Sequence, residues 1–225
     1  MIKKILKIIR NLMILVIGIT SVYLINLFYM KPFSIDHFLG KELAMELVDS
    51  PEALTYIGIF DRFNWITKHN SKLSIPEDGD LENEINKTKG IIRNLYKYED
   101  VSLSDTQKST KKIAIFDYEN NLKELQDFPY HDYPLNQIGG IHLNTIEFMS
   151  DMHPVRNKNE ANDFIKRVNL IKEVYEGIAK ELEKQSEAGI FPPEFVYVRV
   201  IEQLDEFINY SYDEHPLYNQ FIKKV

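Results

Sequence analysis

The 225-residue sequence contains no cysteine. This excludes disulfides, thiolate-held zinc, iron–sulfur clusters and thiol catalysis together. No His is followed by Glu, so the His-Glu-x-x-His zinc helix is missing. The nine glycines form no phosphate-binding loop, no dinucleotide fingerprint and no Gly-x-Ser-x-Gly nucleophile elbow. There is no internal repeat and no low-complexity linker. Basic residues are scarce outside the first ten positions. Setting aside Lys3, Lys4, Lys7 and Arg10, the remaining chain has 23 basic against 34 acidic residues, a charge of −11 where the whole chain carries −7. A surface that acidic repels phosphate backbones, which argues against nucleic acid as a partner.

What is present is a globular composition, 44% hydrophobic and 12% aromatic, with length for one ordinary domain or two small ones. The first segment differs from the rest. Residues 1–11 are basic, and residues 12–30 are 19 consecutive residues without a charge. As a helix they span roughly the 30 Å of a hydrocarbon core. Asn26 is their one strongly polar side chain, and Tyr23, Phe28 and Tyr29 fall where an interfacial aromatic belt forms. Four cations precede the run and Lys31 alone follows it closely, so the positive-inside rule keeps the N-terminus cytoplasmic and exports the bulk of the chain, to the periplasm or the extracellular side. A cleaved signal peptide is the alternative, although Gly18-Ile19-Thr20 is a poor small-x-small cleavage site. Export follows from both readings. No Cys is available after the run for a lipoprotein anchor.

From residue 33 onward helical periodicity dominates, and the pattern predicts an all-α, mostly helical domain over residues 33–225. Leu39, Leu43 and Leu47 form one stripe. Ser50-Pro51 reads as an N-cap and first helical position, with Gly58 as the stop. A helix from Asp80 carries Leu81, Ile85, Thr88, Ile92 and Leu95. Ser104 and Gln107 form a capping box ahead of a helix reaching Leu125, and Asn144 with Glu147 resembles another cap. The clearest helix covers residues 160–188 with Asn159 as its cap, its stripe running Phe164, Val168, Ile171, Tyr175, Ile178, Leu182, with Gly189 as terminator. A further helix spans about residues 194–210, where Val196, Val198 and Val200 alone would also suit a strand. His215-Pro216 opens a last short helix, which is either a docked terminal element or part of a larger fold that the chain does not complete.

Chemistry is harder to find. His131, His142 and His153 recur every eleven residues, but Pro134, Gly139, Gly140 and Pro154 break any helix that would align them, so hydrogen-bonded or solvated histidines are expected rather than a metal site. Asp78-Gly79-Asp80-Leu81-Glu82 fails the calcium-loop pattern, with Asn83 and Lys89 at the positions that need Gly and Glu, and reads as a capping turn. The loop Phe128–Gly140 gathers three aromatics, two prolines and a glycine pair. Either it lines a cleft or it is a structural crossover.

That loop carries a resemblance. Tyr133-Pro-Leu-Asn-Gln-Ile-Gly-Gly140, Phe148-Met149, His153-Pro154, Asn162-Asp-Phe-Ile-Lys-Arg167 and Gly189-Ile-Phe-Pro-Pro193, preceded by Asp49–Gly58, are similar in order and kind to the N-terminal half of the bacterial domain-of-unknown-function family 885. The likeness runs from about Phe33 to Val225. It implies an exported, helical, zinc-metallopeptidase-like protein whose zinc site, a His-Glu-x-x-Pro-Gly-His stretch, lies in the C-terminal half and is missing from this sequence. The resemblance therefore implies no catalytic residue, no cofactor and no metal ligand within this chain. It implies instead a truncated or split, non-catalytic front half that forms one wall of a substrate cleft, with Gln137, Gly139 and Gly140 as candidate cleft-lining residues. The partners it implies are the membrane, a separately encoded C-terminal half, or a peptide. A self-standing envelope binding module is the alternative, and an active metal-dependent hydrolase the less favoured third.

Overall fold

A computed structural model describes residues 2–224, with the side chain of Ile2 left aside. Met1 and Val225, the outermost residues of the basic segment and of the helical domain, lie outside the described residues. The fold is all-α, with no strand among the described residues. Among the described residues the ten α-helices are α1 (Ile2–Tyr29), α2 (Ile35–Asp49), α3 (Pro51–Ile57), α4 (Asn64–Thr67), α5 (Asp80–Tyr96), α6 (Asp105–Asp127), α7 (Ile141–Glu147), α8 (Lys158–Glu187), α9 (Glu194–Asn209) and α10 (Pro216–Lys224). They form two compact units, Met1–Met45 with Asn86–Leu122 and Glu46–Ile85 with Lys123–Val225.

The first unit begins with α1. Its apolar side chains face outward almost throughout, and Lys3–Tyr29 has the length and mean hydropathy, 2.1, of a membrane-crossing helix. Such a helix fits a membrane anchor or a signal segment alike. Asn26, the polar exception, is buried. Its Nδ2 donates to the Lys31 carbonyl (2.8 Å) and its Oδ1 accepts from the Phe33 amide (2.8 Å), so the side chain closes the helix end that Pro32 leaves open. The core of this unit is apolar: Ile35 and Phe38 of α2 pack with Ile91, Leu95 and Tyr98, and Leu103, Ala114 and Ile115 cover them. Ile91, rather than Ile92, takes the central position on α5. The buried Tyr98 hydroxyl donates to the Pro32 carbonyl (2.9 Å), and burial pushes its pKa up to about 12. Ser104 and Gln107 make the reciprocal bonds of a capping box at the start of α6.

The second unit is built around the 30-residue α8. Its cap is Asn157, whose Oδ1 accepts from the amides of Asn159 and Glu160; Asn159 lies inside the first turn. The expected cap at Asn144 is likewise displaced. The helix α7 starts three residues earlier, and Asn144 reaches back to the Gly139 carbonyl. Ser50 caps α3 as expected, and Gly58 ends it at φ 68°. One face of α8 carries two apolar clusters: Phe164 with Met149, Val155 and Leu217, and Val174 and Ile178 with Leu73. Gly177 is required on that face, because a Cβ there would meet the Pro76 carbonyl at 2.5 Å. Residues 194–209 are helical, which resolves the valine-rich stretch against a strand.

Candidate functional site

The centre of the second unit is a charge. Arg167 of α8 lies at i+3 from Phe164 and i−4 from Ile171, on the apolar stripe, and is 0% exposed. A buried guanidinium is tolerated only when its donors are satisfied, and here they are bonded on every side. Nε donates to the Lys72 carbonyl (2.8 Å), Nη1 to His153 Nδ1 (2.8 Å), and Nη2 to Thr55 Oγ1 (2.7 Å) and the His69 carbonyl (2.9 Å). The ring of Phe148 lies 4.7 Å from the guanidinium carbon. Phe148 is presented by a wide turn, Phe148–Met152, that follows α7 and closes with a bond from the His153 amide to the Phe148 carbonyl. No carboxylate touches the guanidinium among these contacts, and burial brings its pKa down to about 10.

The partners of Arg167 are fixed in turn. His153, 1% exposed, donates from Nε2 to the Glu160 carbonyl (3.1 Å). That leaves Nδ1 as the acceptor facing Arg167, so the imidazole is neutral and its tautomer is set by its two neighbours. Burial first, and then Arg167 and Lys224, pull its pKa to about 4 against the opposing bond to Glu160. Thr55 is also within 2.9 Å of Asn70 Oδ1. His69 is buried with Nδ1 2.6 Å from the Thr67 hydroxyl. Its Nε2 faces Asp61 Oδ1 at 3.5 Å, and both atoms are buried without a hydrogen-bond partner in the described residues. Burial holds His69 below its ordinary pKa, against the pull of Asp61.

Above this hub the surface opens into a polar cleft of about 490 Å³. One wall is the start of α8, with Asn157, Asn159, Glu160, Asn162, Asp163 and Lys166. The other is the turn-rich segment from Asp61 to Ser71, with Asn64, Trp65, Lys68 and Asn70. Asn64 ties the walls together, since its Nδ2 donates to Asp163 (2.9 Å) and its Oδ1 accepts from the Asn70 amide (3.0 Å). The acidic groups are already engaged: Asp61 and Glu160 share Arg156, and Asp163 pairs with Lys166 at 2.7 Å. Among the described residues no three His, Asp or Glu gather as a metal-holding group. The donor set of the cleft therefore does not fit the zinc that the family resemblance implies. What the cleft offers is carboxamides: those of Asn159 and Asn162 are exposed and make no hydrogen bond among the described residues, while Asn64, the buried Asn70 and the Asn157 cap are already engaged.

The residues singled out in the sequence fall elsewhere. The Gln137 carbonyl accepts from Gln203 Nε2 (3.1 Å), and the Gln203 carboxamide also meets His142 Nε2 (2.9 Å). Gly140 is buried at a backbone crossing: an added Cβ would lie 2.6 Å from the Asn136 amide nitrogen. Gly139 is exposed, and its amide donates to Asn136 Oδ1 (2.8 Å). None of the three is among the residues lining the amide-rich cleft. His131 is exposed, while His142 and His153 sit in separate hydrogen-bond networks. The Asp78–Glu82 turn caps α5, with Asp80 accepting from the Glu77 amide (2.8 Å), and Asp78 pairs with Lys184 at 2.6 Å.

No curated protein matches the chain. Among solved structures, the crystal structure of the "putative lipoprotein from Colwellia psychrerythraea" matches with a TM-score of 0.64 at 15% identity, over 80% of this chain and 33% of that one. At that identity the likeness establishes the fold, and this chain spans about a third of the length of that structure. Residues 51–225 match the family described as "Bacterial protein of unknown function (DUF885)". The stretches that converge on Arg167, namely Pro51–Thr55, Phe148, His153 and Arg167 itself, all lie inside that match, and the chain belongs to the DUF885 family.

Proposed function

We propose that this chain is the membrane-anchored, non-catalytic part of a peptidase-like protein, and that the asparagine-lined cleft of its second unit binds peptide. In this reading α1 stays in the bilayer with its N-terminus in the cytoplasm and the bulk of the chain is exported. On the same reading no residue of this chain carries out bond cleavage. The observation that carries the reading is the asparagine-lined cleft. The exposed carboxamides of Asn159 and Asn162, over a rigid buried hub, suit the alternating N–H and C=O of an extended peptide, and the acidic groups beside them are held in ion pairs instead of being free for proton transfer. Further support comes from apolar surface of the kind a larger helical fold covers. Phe195, Val198, Ile201 and Ile208 form an exposed stripe on α9, and Phe164, Val168, Leu217, Tyr218 and Phe221 line an open apolar groove of about 430 Å³.

The test is a titration of the full chain, in detergent, with fluorescently labelled mixed-sequence peptides, assayed in parallel for cleavage by mass spectrometry with and without chelator. Binding without cleavage is expected, and Asn162→Ala should weaken it about five- to tenfold, the loss of one or two hydrogen bonds. Chelator-sensitive cleavage by the purified chain would defeat the reading. A self-standing envelope binding module is the second reading, favoured by the separate core that each unit possesses. It predicts a monodisperse monomer that unfolds cooperatively by itself.

A further inference from the structure

The segment between α3 and α8's partner loops is turned inside out. From Tyr56 to Ile66 the polar groups of Asp61 and Asn64 are engaged within the molecule. Asp61 is held by Arg156, and Asn64 bonds Asp163 and the Asn70 amide. Its large apolar side chains point to solvent: Trp65 is 76% exposed, Tyr56 and Ile59 69% each, Ile66 60% and Phe63 51%. Lone exposed hydrophobes are ordinary, but five such side chains within eleven residues mark an interaction surface. The backbone beneath is firmly set. Gly58 turns the chain at φ 68°, the single turn Asp61–Phe63 and α4 follow, and Arg167 holds the His69 carbonyl just beyond. The patch is therefore a presented feature and not a frayed loop.

We infer that this patch docks onto the membrane surface, as a second, peripheral contact with the bilayer that α1 enters; the inference rests on the anchored reading above. Three observations choose lipid over protein as the occupant. Tryptophan, tyrosine and phenylalanine mixed with isoleucine is the composition of side chains that settle at the headgroup boundary. Arg62, Lys68 and Lys72, all exposed and with no acidic partner among the described residues, flank the patch in a chain whose net charge is −7. They complement an anionic lipid surface. The 26 residues between Tyr29 at the end of α1 and Tyr56, fifteen of them in α2, form a linker whose length permits the patch to reach the bilayer. Trp65 also belongs to the amide-lined cleft, and docking therefore sets the mouth of the cleft at headgroup level.

Trp65 is the only tryptophan in the sequence, so its emission reports the patch directly. The full chain is reconstituted into vesicles of equimolar phosphatidylcholine and phosphatidylglycerol, with iodide on both sides of the membrane. A carbonate wash first tests the anchor. Docking predicts a blue-shifted Trp65 emission, quenching by lipids brominated near the headgroup, and an iodide quenching constant about threefold below that of a free tryptophan amide, as expected for an interfacial ring. Replacing Ile59, Phe63 and Ile66 together by Ser, all exposed and so harmless to the core, should restore iodide access and abolish bromolipid quenching. A chain retained by the vesicles but open to iodide and untouched by bromolipid overturns the docking. Shielding from iodide without bromolipid quenching also overturns it, since a second copy of the chain then covers the patch. Release by carbonate overturns the anchored reading itself.

Discussion

The two units bury their largest side chains in opposite chemistries. In the first, Ile35, Phe38 and Leu95 are sealed among hydrocarbons, and the buried Tyr98 hydroxyl beside them is served by the carbonyls of Pro32 and Ser34. In the second, the largest fully buried side chain is Arg167, with His69, His153 and Asn70 beside it. An apolar core tolerates reshaping so long as volume is kept, because its contacts are non-directional. A buried guanidinium tolerates almost nothing, because each acceptor around it has given up water for one donor in one place. The second unit should thus be the more sharply specified and the less forgiving of substitution.

The largest effect expected from that difference is at Arg167. Arg167→Met keeps the length and apolar stem but leaves the carbonyls of Lys72 and His69, Thr55 Oγ1 and His153 Nδ1 without their donor. Leaving buried partners uncompensated costs about 3–5 kcal/mol. Denaturant unfolding of the full chain in detergent, followed by Trp65 in this same unit, should show the loss. Arg167→Lys should recover little of it, since a single ammonium cannot reach acceptors placed for a planar fork. In the first unit Leu95→Ala removes a fully buried side chain and should cost about 3 kcal/mol, but Leu95→Met should cost under about 1.5 kcal/mol. The comparison fails if Arg167→Lys proves as mild as Leu95→Met.

How much of this was legible in the sequence depends on which chemistry is asked about. The helices of both units were, because their stripes repeat at 3.6 residues and their caps are local: Ser50, Ser104 with Gln107, and Gly189 all lie where short-range rules place them. Asn157 and Asn159, two residues apart, both satisfy the cap preference, and only the backbone turn at Asn157 (φ −159°, ψ 170°) decides between them. The hub was half visible. Arg167 falls on the Phe164–Ile171 face, and a charge on an apolar stripe is a signal worth following. Its acceptors were not visible, since three of them are backbone carbonyls and hydroxyls up to 112 residues away in sequence. The cleft was invisible for the same reason. Its asparagines come from two segments nearly a hundred residues apart, joined by Asn64 and Asp163. Of the stretches that carry the family resemblance, Asp49–Gly58, Phe148-Met149, His153-Pro154 and Asn162–Arg167 meet at the hub, whereas Tyr133–Gly140 and Gly189–Pro193 do not.

The difference between the units is also expected to appear as opposite pH sensitivities. His153 has a folded pKa of about 4 against about 6.5 when unfolded. Between those values the unfolded chain takes up a proton that the folded chain refuses, so stability is complete above pH 6.5 and falls as pH drops. The loss attributable to His153 is about 2 kcal/mol at pH 5, and His69, also held low by burial, acts in the same direction. His153→Asn, whose Oδ1 can stand in for Nδ1 as the acceptor from Arg167, should flatten this acid slope even if it lowers stability at pH 7. Tyr98 in the first unit behaves in reverse. Its pKa is raised to about 12, so the unfolded chain ionises first and stability is lost as pH rises from 10 toward 12, by about 1.4 kcal/mol at pH 11. Tyr98→Phe should remove that alkaline loss and leave the acid limb unchanged. Denaturant midpoints of the three proteins across pH 4.5–11 check both limbs. An acid limb that survives His153→Asn unchanged would move the acid sensitivity from His153 to His69 or to the exposed carboxylates, and the Arg167–His153 bond would then be a structural device without a titrating role.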